Sequence, residues 1–212
     1  MQNNLQIGLI GLGNVGLQVA KELVNNKDLE NYFSLKSILV RNVNKYNKII
    51  DNDPEFLGNS SMIKNLLTEN PKDFFKGNFD VVVELIGGLN PAKEYVKTAL
   101  LEKKHVVTAN KELIANHFSE LIKIAKSNKM KLRFEGSVGA GIPVIEVLTD
   151  MLKQNSISRI TGIINGTSNY ILSSMFDYSA DFSKVLLEAQ KLGFAESDPT
   201  DDIDGHDAKY KI

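Results

Sequence analysis

The sequence predicts a doubly wound parallel α/β sheet followed by part of an α+β unit, and three observations carry that expectation. Short apolar runs alternate with helically spaced apolar stripes over roughly the first 135 residues. One of the runs, Phe79 to Ile86, is Val-rich and continuous, the texture of a strand buried on both faces of a sheet. The turn Gly11-Leu12-Gly13-Asn14-Val15-Gly16 joins the first such run to the first helical stripe.

Taken in order, Leu5 to Ile10 reads as a strand closed by glycine, and Val15, Val19, Ala20, Leu23 and Val24 recur at helical spacing. Leu35 to Val40 makes a second strand. The stretch Asn42 to Asn70 is rich in Asn, Lys and Asp and reads as an irregular connection with a short helix inside. After the Phe79 strand, Asn90-Pro91 predicts a helix start, with Asn as N-cap, Pro in the first helical position, and Tyr95, Val96, Ala99 and Leu100 as the apolar stripe. His105 to Thr108 is the next strand, Leu113, His117, Leu121 and Ala125 mark a helix, and Lys131 to Glu135 ends the sheet. Beyond Gly139 the texture changes. Pro143 starts a helix, Ser156 to Ile164 resembles a strand, Phe182, Val185, Leu186, Ala189 and Leu192 line a helix ending at Gly193, and a further helix begins near the last residues. The expected division is 1–138 for the sheet domain and 139–212 for a second, apparently truncated one.

Composition narrows the function. In 212 residues, 42% are hydrophobic and 24% charged, and 25 Lys and Arg face 26 acids for a net charge of -1. That balance offers no basic footprint for nucleic acid and favours a small-molecule partner. No run is long enough for a membrane span, and the start lacks the basic-then-apolar pattern of an export signal, so the expectation is a soluble cytoplasmic protein. The chain has no cysteine, which removes any sulfur nucleophile.

The glycine turn has the context of a dinucleotide-binding Rossmann loop. Gly11 permits the tight turn, Gly13 lets backbone approach a pyrophosphate, and Gly16 lets helix pack on strand, while Asn14 and Val15 belong to the helix end whose amides face the phosphates. The second strand ends at Val40-Arg41, with Lys45 nearby, where a ribose-binding acid would be expected for NAD. A cation there suits a 2′-phosphate, so NADP is favoured over NAD. Ile86-Gly87-Gly88 lies at the carboxyl end of another strand and leaves room for the cofactor.

Four further segments are Thr108-Ala109-Asn110-Lys111, Glu135-Gly136-Ser137-Val138-Gly139-Ala140-Gly141-Ile142-Pro143, Asn165-Gly166-Thr167-Ser168-Asn169, and Gly193-Phe194-Ala195-Glu196-Ser197-Asp198-Pro199 running into Asp204-Gly205-His206-Asp207-Ala208-Lys209-Tyr210-Lys211. With the glycine turn, and in this order, they closely resemble the homoserine dehydrogenases over essentially the whole chain. The resemblance implies reversible NAD(P)H-dependent reduction of L-aspartate 4-semialdehyde to L-homoserine, on the route to threonine, isoleucine and methionine. It also implies roles: Lys211 as catalytic lysine, Asp207 as its partner carboxylate and a substrate contact, Glu196 as a substrate-binding residue, Lys111 as a second active-site lysine touching substrate and nicotinamide, and Gly193 as a cofactor contact. A structural sodium ion would be held by Glu135 and the main-chain oxygens of Val138, Ala140 and Ile142. Such enzymes continue well past the position matched by Lys211, and the full-length form is expected to be a homodimer.

The residues bear a physical reading of their own. Hydride attack on an aldehyde creates an alkoxide, which needs a cationic proton donor, and the substrate ammonium needs an anion. Asp207 and Lys211 are four apart with the acid leading, so a helix puts them on one face, although such pairs are also ordinary solvated ion pairs. The acids from Glu196 to Asp207 do not fit a calcium loop, because Thr200 and Lys211 fall where the template needs acids, and most are expected to cap helices or face water. His105, His117 and His206 show no ligand spacing. The Gly139 to Pro143 turn reads as a hinge or as an oxygen cage for a monovalent ion, and Asn165 to Asn169 as support. A thioester-forming aldehyde dehydrogenase is excluded by the missing cysteine. The alternative of another class is a non-catalytic NAD(P)-binding regulatory module, in which Lys111, Glu196, Asp207 and Lys211 would be idle.

Overall fold

A computed structural model of the chain describes residues 4–56, 58–139 and 141–212. These fall into two compact units, one through Ser137 and one from Val138 to Ile212.

The first unit alternates strand and helix: β1 Leu5–Ile10, α1 Asn14–Asn25, α2 Lys27–Glu30, β2 Phe33–Leu39, α3 Val43–Asn52, α4 Ser60–Asn65, β3 Leu67–Thr68, α5 Pro71–Phe75, β4 Val81–Glu84, α6 Ala92–Leu101, β5 His105–Thr108, α7 Lys111–Ser127 and β6 Leu132–Arg133. The six strands pair in parallel in the order β3-β2-β1-β4-β5-β6. From β1 the chain winds outward through β2 and β3, then returns to start again at β4, so the order reverses between β1 and β4. That reversal opens a crevice at the carboxyl ends of the strands. Ile10 stands opposite Glu84, and Glu84 opposite Thr108, which brings the loops after β1, β4 and β5 to one edge.

Packing follows the two-residue period of the strands. On one face Ile7 and Leu9 join Ala20, Ile38, Ile50, Phe56 and Ile63; on the other Ile10 and Val82 join Phe74, Val96, Leu100, Leu113 and Leu121. Both faces are covered, which is why β4 tolerates no clean polar alternation.

Three sequence expectations need correction here. The described residues of the segment 42–70 hold several regular elements where the sequence suggests an irregular connection with one short helix: Asn42 caps α3 by accepting from the Lys45 amide at 2.8 Å, Ile50, Phe56 and Ile63 are almost fully buried, anchoring α3, a short 3-10 turn at Pro54–Phe56 and α4, and Leu67–Thr68 pairs with β2 as strand β3. The segment's polar surface residues mask that thin buried stripe. The last strand is only Leu132–Arg133, because Glu135–Ser137 turns away as a 3-10 helix with the Ser137 amide and hydroxyl both on the Phe134 carbonyl. Pro91, not Asn90, is the N-cap of α6; the Lys93 and Tyr95 amides bond to the Leu89 and Pro91 carbonyls, so no side-chain cap is needed.

The second unit contains α8 Val144–Met151, α9 Gly166–Tyr178, α10 Phe182–Leu192, α11 Thr200–Ile203 and α12 His206–Lys211. Its core is small: Ile171, Val185, Ala189 and Ala195, with Tyr170, Met175 and Leu186 packed against them. Gly193 closes α10 at φ 80, and the Phe194 amide returns to the Ala189 carbonyl at 2.8 Å. The strand expected at Ser156 to Ile164 does not form. No strand pairs with it among the described residues, and its Ile160 and Ile163 are 71% and 76% exposed.

Candidate active site

In the first unit the site is built by backbone. Gly13 is the N-cap of α1 and no side chain caps that helix, so its leading amides are presented to the crevice. Gly11 sits at φ +97, where a side chain would be strained and its Cβ would come within 2.7 Å of Ile86. A Cβ on Gly16 would lie 2.1 Å from the Gly11 carbonyl oxygen, so helix and turn approach only because it is absent. At Gly13 a Cβ would meet nothing within 4 Å. The protein does not forbid a side chain there, and the space opens to a ligand. A cavity of about 370 Å³ follows this edge, walled by Gly11, Gly13, Ile86, Arg41, Lys45 and Glu69. Arg41 is exposed two residues after the end of β2, and Asn42 and Glu69 both serve the start of α3, Glu69 accepting from the Val43 amide at 2.6 Å. The residues present fit a dinucleotide, with its pyrophosphate on the glycine turn.

Lys111 opens α7, directly after Asn110, whose side chain caps the helix on the Leu113 amide at 3.0 Å. Gly87 and Gly88 both take positive φ, 70 and 67, and turn the chain at the end of β4.

The second unit organises its polar residues around Asn165. As N-cap of α9, Asn165 accepts from the Ser168 amide at 2.7 Å through Oδ1. Its Nδ2 then donates to Asp202 at 2.7 Å and to Asp207 Oδ2 at 2.8 Å. Asp207 is buried, with its side chain only 6% exposed, and the Lys211 ammonium donates to the same Oδ2 at 2.6 Å and to the Ile164 carbonyl at 2.7 Å. The helical spacing read in the sequence therefore produces a directed ion pair. Asn165, Asp202, Asp207, Lys211 and Gly193 all line a cavity of about 1090 Å³. Thr167 reaches the Phe194 carbonyl at 2.7 Å and ties α9 to the turn after Gly193.

Within the second unit, then, Gly193, Asp207 and Lys211 are brought together. Glu196 is not among the residues lining that cavity; its side chain is exposed, while its carbonyl accepts from Gln190 at 3.0 Å. The neighbouring acids do cap and turn. Asp198 takes the Thr200 hydroxyl at 2.6 Å and the Thr200 amide at 3.2 Å, and these bonds hold its carboxyl below the usual range. Among the described residues no group of three His, Asp or Glu side chains could hold a metal. His105 Nδ1 accepts from the Lys131 amide, a structural use. Sequence reasoning missed Asp202 and the reach of Asn165. The available signal was stoichiometric: an Asn whose oxygen caps a helix still has two amide hydrogens to place.

Two family models match the chain: one described as homoserine dehydrogenase, NAD binding domain, over residues 11–135, and one described as homoserine dehydrogenase over residues 143–212. The chain belongs to the homoserine dehydrogenase family. A homoserine dehydrogenase of Bacillus subtilis is 39% identical over 98% of this chain and 47% of its own length. Among solved structures, a homoserine dehydrogenase from Thiobacillus denitrificans superposes with a TM-score of 0.84 at 41% identity, covering 99% of this chain and 47% of that one. A hyperthermophilic archaeal homoserine dehydrogenase in complex with NADPH gives a TM-score of 0.81 at 29% identity, covering 99% of this chain and 67% of that one. The chain spans about half the length of the curated homoserine dehydrogenases it matches. Among the described residues no helix is long and apolar enough to cross a membrane.

Proposed function

We propose that the chain carries the cofactor loop and proton donor of a homoserine dehydrogenase that reversibly reduces L-aspartate 4-semialdehyde to L-homoserine with NAD(P)H. The observation that carries this reading is the Lys211 ammonium, held by Asp207 and the Ile164 carbonyl at the wall of the second unit's cavity. An ammonium has three hydrogens; two are engaged, and the third is available to a substrate oxygen. The reduced nicotinamide, when bound, supplies the hydride. The chain's own residues handle the proton: Lys211 donates it to the oxygen that becomes the alcohol, and the buried Asp207 carboxylate holds the amine in place for that transfer. Asn165 keeps Asp207 aimed, because its amide spans Asp207 and Asp202. Lys111 contacts both substrate and nicotinamide, Gly193 contacts the cofactor, and Glu196 receives the substrate ammonium.

Arg41 and Lys45, at one end of the first unit's cavity, support NADP over NAD by offering cations to a 2′-phosphate. A structural sodium ion on Glu135 and the main-chain oxygens of Val138, Ala140 and Ile142 belongs to the same reading. The backbone turn at Gly139, φ 74, supports it, while Ala140 lies outside the described residues. A cytoplasmic location and, for the full-length protein, a homodimer are carried with it; the exposed apolar side chains of Val147 and Met151 in α8 and of Leu152 just after it support pairing with a second copy.

The test is NADPH oxidation by the chain with L-aspartate 4-semialdehyde, with homoserine identified as product. We expect oxidation that depends on both. Binding of NADPH without any turnover would instead favour the regulatory nucleotide-binding module.

A further inference from the structure

Glu84 is fully buried, and it forms no ion pair among the described residues. Burying a carboxylate without a cation is costly, and an apolar residue would satisfy the packing of β4 as well, so its presence asks for a reason. Its two oxygens are both used. Oε1 accepts from the Ile86 amide at 2.8 Å, and Oε2 accepts from the Thr108 hydroxyl at 2.6 Å. Thr108 Oγ1 in turn accepts from the Asn110 amide at 3.0 Å. Asn110 then donates from its side chain to the Gly88 carbonyl at 2.7 Å and caps α7 on the Leu113 amide. The circuit begins and ends on the loop after β4 and passes through the residue that precedes Lys111. That loop is also one wall of the glycine turn, since a Cβ at Gly11 would strike Ile86 and Leu85.

We propose that Glu84 is a positioning residue for the dinucleotide: its carboxylate fixes the 85–88 loop and the start of α7 at one spacing, so that the cofactor meets a crevice already formed. The proposal rests on the dinucleotide reading given above, and it goes beyond it by assigning the preorganisation to one buried acid and its Thr108 partner. Two successive glycines with positive φ give that loop wide conformational freedom, and the bonds at Ile86 and Gly88 flank them on either side. Removing one bond lets the loop wander, and part of the binding energy is then spent on reordering it.

The experiment is fluorescence titration of NADPH on the full 212-residue chain, run below the unfolding temperature of each variant, with thermal unfolding recorded alongside. Glu84→Gln keeps the volume but loses one acceptor; Thr108→Val loses the donor to Glu84 together with the acceptor of the Asn110 amide; Thr108→Ser retains both. We expect Glu84→Gln to weaken NADPH binding about tenfold, the scale of one lost charge-assisted bond, and Thr108→Val, which also leaves the Asn110 amide without its acceptor, at least as much. The double variant should be no weaker than Thr108→Val alone, because the Glu84–Thr108 bond is already gone once the hydroxyl is removed. Thr108→Ser should bind as the unaltered chain does. Unchanged affinity in Glu84→Gln, with only the unfolding temperature lowered, would overturn the proposal and leave a purely structural acid. Should Glu84→Gln fail to fold, unchanged affinity in Thr108→Val would overturn it equally. Failure of the unaltered chain to bind any nicotinamide dinucleotide would be a separate result, one that removes the cofactor reading and this proposal with it.

Discussion

The two units fix their functional groups by different means. In the first, Phe74, Val82, Leu100 and their neighbours fill one face of the sheet and Leu9, Ile38 and Phe56 the other, and the cofactor-facing atoms are mostly backbone placed by that packing. In the second, four buried residues make the core, and large side chains such as Phe176 stay 88% exposed. There the candidate functional atoms are side-chain atoms, held by the hydrogen bonds of a single asparagine. A site can thus be preset by a dense core or by a polar contact that substitutes for one, and the two should fail differently when altered.

The largest expected contrast is in stability. Phe74→Ala should cost the first unit about 3–5 kcal/mol, whereas Ile171→Ala should fall toward the lower end of about 2–5 kcal/mol, since its surroundings are thinner and can collapse. Equal losses in denaturant unfolding would break the comparison. Next comes Asn165→Ala, which we expect to lower turnover roughly 10–100-fold while leaving NADPH affinity intact, because Asp207 loses the donor that aims it. A variant with full turnover would show that the α12 ion pair stands without it. The smallest is Arg41→Asp: preference should move from NADP toward NAD by about tenfold, read from the ratio of their kcat/KM values. An unchanged ratio would detach Arg41 from the ribose.

The contrast also explains what could be read in advance. Most of the sheet was legible because its central strands carry apolar runs such as Val81 to Val83 and the helices between them repeat buried positions at regular spacing, as Val96, Ala99 and Leu100 do; the two-residue β3 was not. The 42–70 segment was not, because Ile50, Phe56 and Ile63 are too far apart to outweigh the polar residues between them. Ser156 to Ile164 is rich in β-branched residues as a strand would be, yet that states only what a strand could bury, and no partner lies beside it among the described residues. The glycine turn and the Asp207–Lys211 spacing were legible because each is local. Asn165 with Asp202 and Asp207 spans 42 residues at its longest reach, and Glu84 with Thr108 spans 24, so those contacts exist only after folding.

One substitution bears most directly on the chemistry. In Lys211→Ala, aspartate-semialdehyde-dependent NADPH oxidation should fall by roughly two to four orders of magnitude, with NADPH affinity unchanged to within about twofold, because only the proton donor is gone. Undiminished oxidation in that variant would show that the amine at this position does not deliver the proton.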